Sequence, residues 1–128
     1  MSHLPEAIGY SSVLWFKSES LPKVAYSVRK VSLMQRIEFT KAVHALLHQY
    51  EFLRAGDAQD EVGAKLAELM ATKLYVELGL VEIKGLEIDG RECTRESLLE
   101  RGPEALTIEI AQSVRGQLSM SEEERKNY

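Results

Sequence analysis

The chain has 128 residues, 45% of them hydrophobic and 28% charged, the size and balance of one folded domain and not of a disordered polymer. A net charge of -4 and a pI near 5.4 argue against a broad nucleic-acid interface, which needs cations to displace counterions; Arg29 and Lys30, with Lys23 before and Arg36 after, form only a small basic group. The lone cysteine, Cys93, cannot form an internal disulfide, no apolar run approaches the roughly 20 residues that cross a bilayer, and Met1–Tyr10 lacks the cationic-then-apolar order of a signal peptide, so the expected setting is the cytoplasm.

The first twenty residues hold a short apolar patch, Val13-Leu14-Trp15-Phe16, that reads either as a strand on its own domain or as a loose arm that docks on a partner. After Pro22, the residues Val24, Tyr26 and Val28 alternate with smaller or polar ones, which predicts a strand with one buried face. Ser32 and Gln35 have capping-box spacing and open a long helix whose apolar positions Ile37, Val43, Leu46, Leu47, Tyr50 and Leu53 are read as one broad core stripe ending near Gly56. Asp57–Asp60 is a polar turn. Asp60 caps a second helix, carrying Val62, Leu66, Leu69, Met70 and Leu74, that stops at Gly79. Two helices joined by a short loop predict an antiparallel hairpin.

From Leu80 the period changes to two. Asp89-Gly90 signals a two-residue hairpin turn, with Val81 and Ile83 adding a strand and the Val24–Val28 segment available to pair with it. Thr94 caps a short helix over Arg95–Arg101. Pro103 opens a final helix with Leu106, Ile110, Ala111, Val114 and Leu118 on one stripe. Ser121 and Glu124 repeat the capping-box spacing before a charged tail over 120–128. The expected architecture is a helix-dominated α+β fold, one domain over 1–128, with a long helical hairpin and a small antiparallel sheet.

Few residues are arranged for chemistry. His44 and His48 lie four apart with Glu51 one turn on, a spacing that can hold zinc and defines an alternative reading as a metal-dependent enzyme. Ala45 stands where a metalloprotease motif has glutamate, and no second cluster completes the site, so the trio is read as a polar helix edge. Cys93, flanked by Arg91 and Arg95, has no histidine nearby to form thiolate and is read as a small strand residue. No catalytic, cofactor or metal site is assigned, and a non-enzymatic protein is expected. Arg29 and Lys30 mark a second alternative, a small nucleic-acid-binding regulator. The apolar surplus is more telling. Trp15, Phe39, Tyr50 and Phe52, with His44, are candidates for a protein-binding face, Phe39 standing off the Ile37–Leu47 line.

The runs Gly85-Leu86-Glu87-Ile88-Asp89-Gly90, Gly102-Pro103-Glu104-Ala105-Leu106 and Ser121-Glu122-Glu123-Glu124-Arg125-Lys126-Asn127, with Arg36-Ile37-Glu38-Phe39 on the long helix, resemble phage and prophage tail assembly chaperones. The resemblance implies a mostly helical cytoplasmic protein that coats an apolar, helical tape-measure protein until tail-tube subunits replace it. It also implies an apolar groove for a helix and self-association along the rod. No membrane partner is expected. No catalytic residue comes with the resemblance.

Overall fold

The computed structural model describes residues 4–50 and 60–126, without the side chains of Asp60 and of those beyond Ser119. Strands β1 (Val13–Lys17) and β2 (Ala25–Arg29) precede helices α1 (Leu33–Tyr50) and α2 (Asp60–Gly79). Strand β3 (Leu80–Lys84), the short pair β4 (Glu87–Ile88) and β5 (Arg91–Glu92), and helices α3 (Arg95–Arg101) and α4 (Glu104–Lys126) complete the order. The fold is α+β and helix-dominated, with a small antiparallel sheet, as the periodicities predict.

The sheet order is β1-β2-β3, both pairings antiparallel. Val13-Leu14-Trp15-Phe16 is therefore a sheet strand. The β2 strand pairs with β3 and not with the Asp89-Gly90 hairpin, which forms its own two-stranded unit. The turn is as expected: Asp89 and Gly90 have φ of 53° and 79°, the left-handed pair a tight hairpin needs. Leu14, Phe16, Tyr26, Val28, Leu80 and Ile83 share the inner face, kept in phase by a bulge between Ser27 and Val28. Helix α4 lies on that face, where the Tyr26 hydroxyl and Ser113 Oγ share a hydrogen bond of 2.7 Å. Burial pushes the Tyr26 phenol above its ordinary pKa, and the Ser113 bond offsets part of that rise.

Buried apolar residues of the sheet, α2, α3 and α4 form one cluster that includes Val24, Tyr26, Val76, Leu98, Leu106, Ile110 and Val114. Helix α2 crosses α4 closely. A Cβ placed on Gly79 would lie 2.5 Å from Val114 Cγ1, so glycine at this position permits the approach.

Side-chain hydrogen bonds fix the helix ends. Thr94 and Ser97 form a reciprocal capping box at α3. At α1 only half of one forms. Ser32 Oγ accepts from the Gln35 amide at 3.1 Å, while buried Gln35 sends its own Nε2 to Leu78 O at 3.0 Å, tying the start of α1 to the end of α2. At the far end, α4 runs unbroken through Ser121 to Lys126, so Ser121–Glu124 opens no new helix. Spacing alone cannot separate a cap from a helix interior.

Glu109 on α4 clamps the turn between β1 and β2. Its Oε1 accepts from Ser18 Oγ at 3.0 Å, Ser20 N at 3.0 Å and Ser20 Oγ at 2.7 Å, and its Oε2 accepts from Glu19 N at 3.1 Å. Partial burial pushes this carboxyl's pKa up, but the bonds from Ser20, Glu19 and Ser18 outweigh it and hold the pKa below the usual range. A depressed folded-state pKa contributes stability that is present above the unfolded pKa and lost as pH falls through the folded one. Glu109→Gln is expected to lower stability by about 1.5 kcal/mol at neutral pH. In urea melts, the gap between the two proteins should shrink below about pH 4, where the unfolded carboxyl begins to titrate. A gap that is unchanged down to acid pH would refute the charge-assisted clamp.

Candidate protein-binding surface

Helix α1 carries two apolar lines. At 3.6 residues per turn, Phe39, Val43, Leu46 and Tyr50 follow Gln35 on one side, while Leu33, Ile37, His44 and Leu47 fall in a stripe about 80° wide on another. The first line faces the protein. Phe39 is 3% exposed and its ring lies 5.9 Å from that of Tyr75 on α2, tilted by 32°. The second line faces outward, with Leu33 76%, Ile37 38% and Leu47 54% exposed.

This reverses two expectations. Phe39 is a core residue and not part of an exposed patch, because α2 docks on the side of α1 that carries Gln35 and Phe39. Ile37 and Leu47, read as core, are surface residues. The signal was in the sequence: Gln35, Phe39, Val43, Leu46 and Tyr50 are spaced by four, four, three and four, a complete helical line without Ile37 or Leu47. The first half of α2 behaves similarly, with Val62, Leu66 and Leu69 exposed.

Beside the outward stripe lies a cleft of about 400 Å³ between α1 and α4. Phe39, Val43, Tyr75 and Leu118 give it apolar walls, Leu47 and His44 stand on its α1 side, and Arg36 and Arg115 bring positive charge. Leu33 and Met34 extend the exposed apolar surface toward the start of α1. Such a surface can remove an apolar helix from water and favour acidic residues along that helix's edges.

The other residues singled out from sequence are dispersed. His44 lines the α1–α4 cleft, and Tyr50 is half-buried at the last residue of α1. Trp15 is 44% exposed on the outer face of the sheet, opposite the face that α4 covers, with Lys84 Nζ 5.0 Å from its ring centre. Phe52 and Glu51 lie outside the described residues, as do Gly56 and the turn before Asp60. Of the five binding candidates, then, the cleft joins Phe39 and His44 only.

His44 and His48 are both exposed on α1. Among the described residues no group of three His, Cys, Asp or Glu side chains is placed to share a metal ion. Arg29 is exposed, and Lys30 Nζ sits 4.9 Å from the Tyr10 ring centre. Cys93 is buried, and its Sγ donates to Thr94 O at 3.4 Å. Burial pushes the thiol's pKa up and the Ser97 hydroxyl offsets part of the rise, which favours the unreactive thiol form. Its neighbour Arg95 sends Nη2 to Leu80 O at 2.6 Å.

No helix among the described residues is long and apolar enough to cross a membrane. Compared with protein-family models, curated proteins and solved structures, the chain matches none.

Proposed function

We propose that this protein is a non-enzymatic assembly chaperone or structural component of a phage or prophage tail, acting in the bacterial cytoplasm by holding a long apolar helix of another protein. The exposed line Leu33, Ile37 and Leu47, beside the Phe39-walled cleft, is the observation that carries the reading. A folded chain ordinarily turns such a line inward, and here the inward side is already filled by Phe39 and its neighbours. The sequence resemblance to tail assembly chaperones supplies the partner class: a tape-measure-like rod whose apolar surface needs cover. The cationic Arg36 and Arg115 suit acidic flanks on that rod.

The test is co-purification with a long helical tape-measure-like protein. Leu47→Asp, at an exposed position, should leave the circular dichroism spectrum and melting temperature nearly unchanged. It should weaken partner binding by about tenfold or more, since a charge placed at a desolvated apolar contact removes an anchor. Ile37→Asp should act in the same direction. Undiminished binding by both folded variants would sink the proposal.

A further inference from the structure

On the other side of α2 is a second, larger cleft of about 960 Å³, bounded by α2, α3 and the start of α4 and sharing no lining residue with the first. Leu69 on α2, Leu99 on α3 and Ile108 on α4 contribute apolar surface to it, and Leu69 and Ile108 are exposed. Glu96, Glu100 and Glu104 line the same cleft, and none of the three makes an ion pair among the described residues. Glu96 and Glu104 sit in the first turns of α3 and α4, where a carboxylate complements the helix dipole. Glu100 has no such role. It lies near the C-terminal end of α3, where a negative charge opposes the dipole and a cation would be favoured. Two cations also line the cleft, but Lys73 pairs with Glu77 at 3.6 Å and Arg95 donates Nη2 to Leu80 O at 2.6 Å, so the three unpaired carboxylates beside an open apolar trough leave a surface complementary to something both cationic and apolar. The trough runs along α2 from Leu69 to Leu78, which at 1.5 Å per residue is about 13.5 Å, or about two and a half turns of a helix laid beside it.

We infer that this cleft is a second protein-docking site, and that its occupant is an amphipathic helix bearing lysine or arginine beside its apolar stripe. Apolar side chains of that helix fill the trough over Leu69, Leu99 and Ile108. Its cations meet Glu96, Glu100 and Glu104, giving a helix-in-groove contact whose selectivity comes from charge. The inference stands apart from the proposed function, which uses the opposite side of α2 and a partner of opposite flanking charge.

The probe is a fluorescently labelled 18-residue helical peptide with leucines at helical spacing flanked by lysines, titrated by anisotropy against the full chain. A twin peptide with every lysine replaced by glutamate is the control. The lysine peptide should bind at least tenfold more tightly than its twin, and its affinity should fall with salt. The triple variant Glu96→Gln, Glu100→Gln, Glu104→Gln, at exposed positions, should weaken the lysine peptide by about tenfold, the scale of three exposed ion pairs, and flatten the salt dependence. Leu69→Asp should weaken it further, and Leu47→Asp on α1 should not. Failure of the lysine peptide to bind, equal binding of the twins, an unchanged affinity in the triple variant, or loss through Leu47→Asp would each overturn the inference. Should Leu69→Asp not fold, the triple variant decides alone. Because Leu47→Asp reports on the α1 surface and the glutamine triple on this cleft, failure of one reading leaves the other legible.

Discussion

Phe39→Ala is expected to destabilise the fold by about 3–5 kcal/mol, the range for removing a buried aromatic side chain and leaving a cavity. Phe39 is 3% exposed and packs on Tyr75, so its ring is a principal apolar link between α1 and α2. The Gln35–Leu78 hydrogen bond also ties the two helices, but at about 1 kcal/mol net it cannot replace the ring. Urea denaturation should show a large fall in midpoint. Phe39→Asp should go further and abolish the cooperative transition, because a buried carboxylate without a partner adds a desolvation penalty. Ile37→Ala, two residues away but facing out, should change stability by less than about 0.5 kcal/mol. Similar losses at the two positions would mean that α1 does not bury the line the structure shows. The pair also separates folding from binding: Phe39 tests the core, and Ile37 and Leu47 test the proposed docking surface.

Gly85→Ala should be comparably damaging, at about 3 kcal/mol, for two additive reasons. Gly85 has φ of +86°, a left-handed conformation that alanine adopts only with strain. A Cβ there would also collide with the Lys23 carbonyl oxygen, which belongs to backbone entering β2 and cannot rotate away as a side chain could. Relief would require the end of β3 to part from the start of β2, where Lys84 and Ala25 are paired. Gly90 provides the control. Its φ of +79° is similar, but a Cβ on it meets nothing within 4 Å, so Gly90→Ala should cost only about 1 kcal/mol. Thermal melts of the two variants would resolve the difference. Equal losses would assign the whole effect to backbone conformation and refute the close approach of Lys23.

The elements themselves were legible because their causes are local. Alternation of Val24, Tyr26 and Val28 with Ala25 and Ser27 marks a strand; Asp89-Gly90 marks a hairpin; Thr94 and Gly102-Pro103 bracket α3. Each depends on side chains within a few positions of one another. The capping pairs show where such reading fails. Thr94–Ser97 closes reciprocally, Gln35 turns away to Leu78, and Ser121 sits inside a continuing helix. The same spacing has three outcomes, since the alternative partner of Gln35 lies 43 residues away.

The candidate surface was less legible for the same reason. The structure buries Phe39, places His44 at a cleft, leaves Tyr50 at the end of α1 and sets Trp15 on the far face of the sheet, while Phe52 lies outside the described residues. Helix α1 has apolar side chains on two sides; the Phe39 line is the more complete of the two, but the Ile37–Leu47 line is also at helical spacing, and docking of α2 selects between them. Glu109 carries no local sequence signal, because the four donors that give it a role come from a turn about ninety positions earlier.

Periodicity, caps and turn residues were enough to specify helices, strands, the hairpin and the α+β class, because backbone hydrogen bonding and side-chain spacing within an element need no distant partner. Docking settled the rest: β2 between β1 and β3, Gly79 against Val114, Glu109 over the Ser18–Ser20 turn, and Phe39 inward so that Leu33, Ile37 and Leu47 remain outside. Burial is a property of pairs of surfaces. A single helix can offer two apolar faces, but only the arrival of α2 on one of them makes that face core and leaves the other exposed.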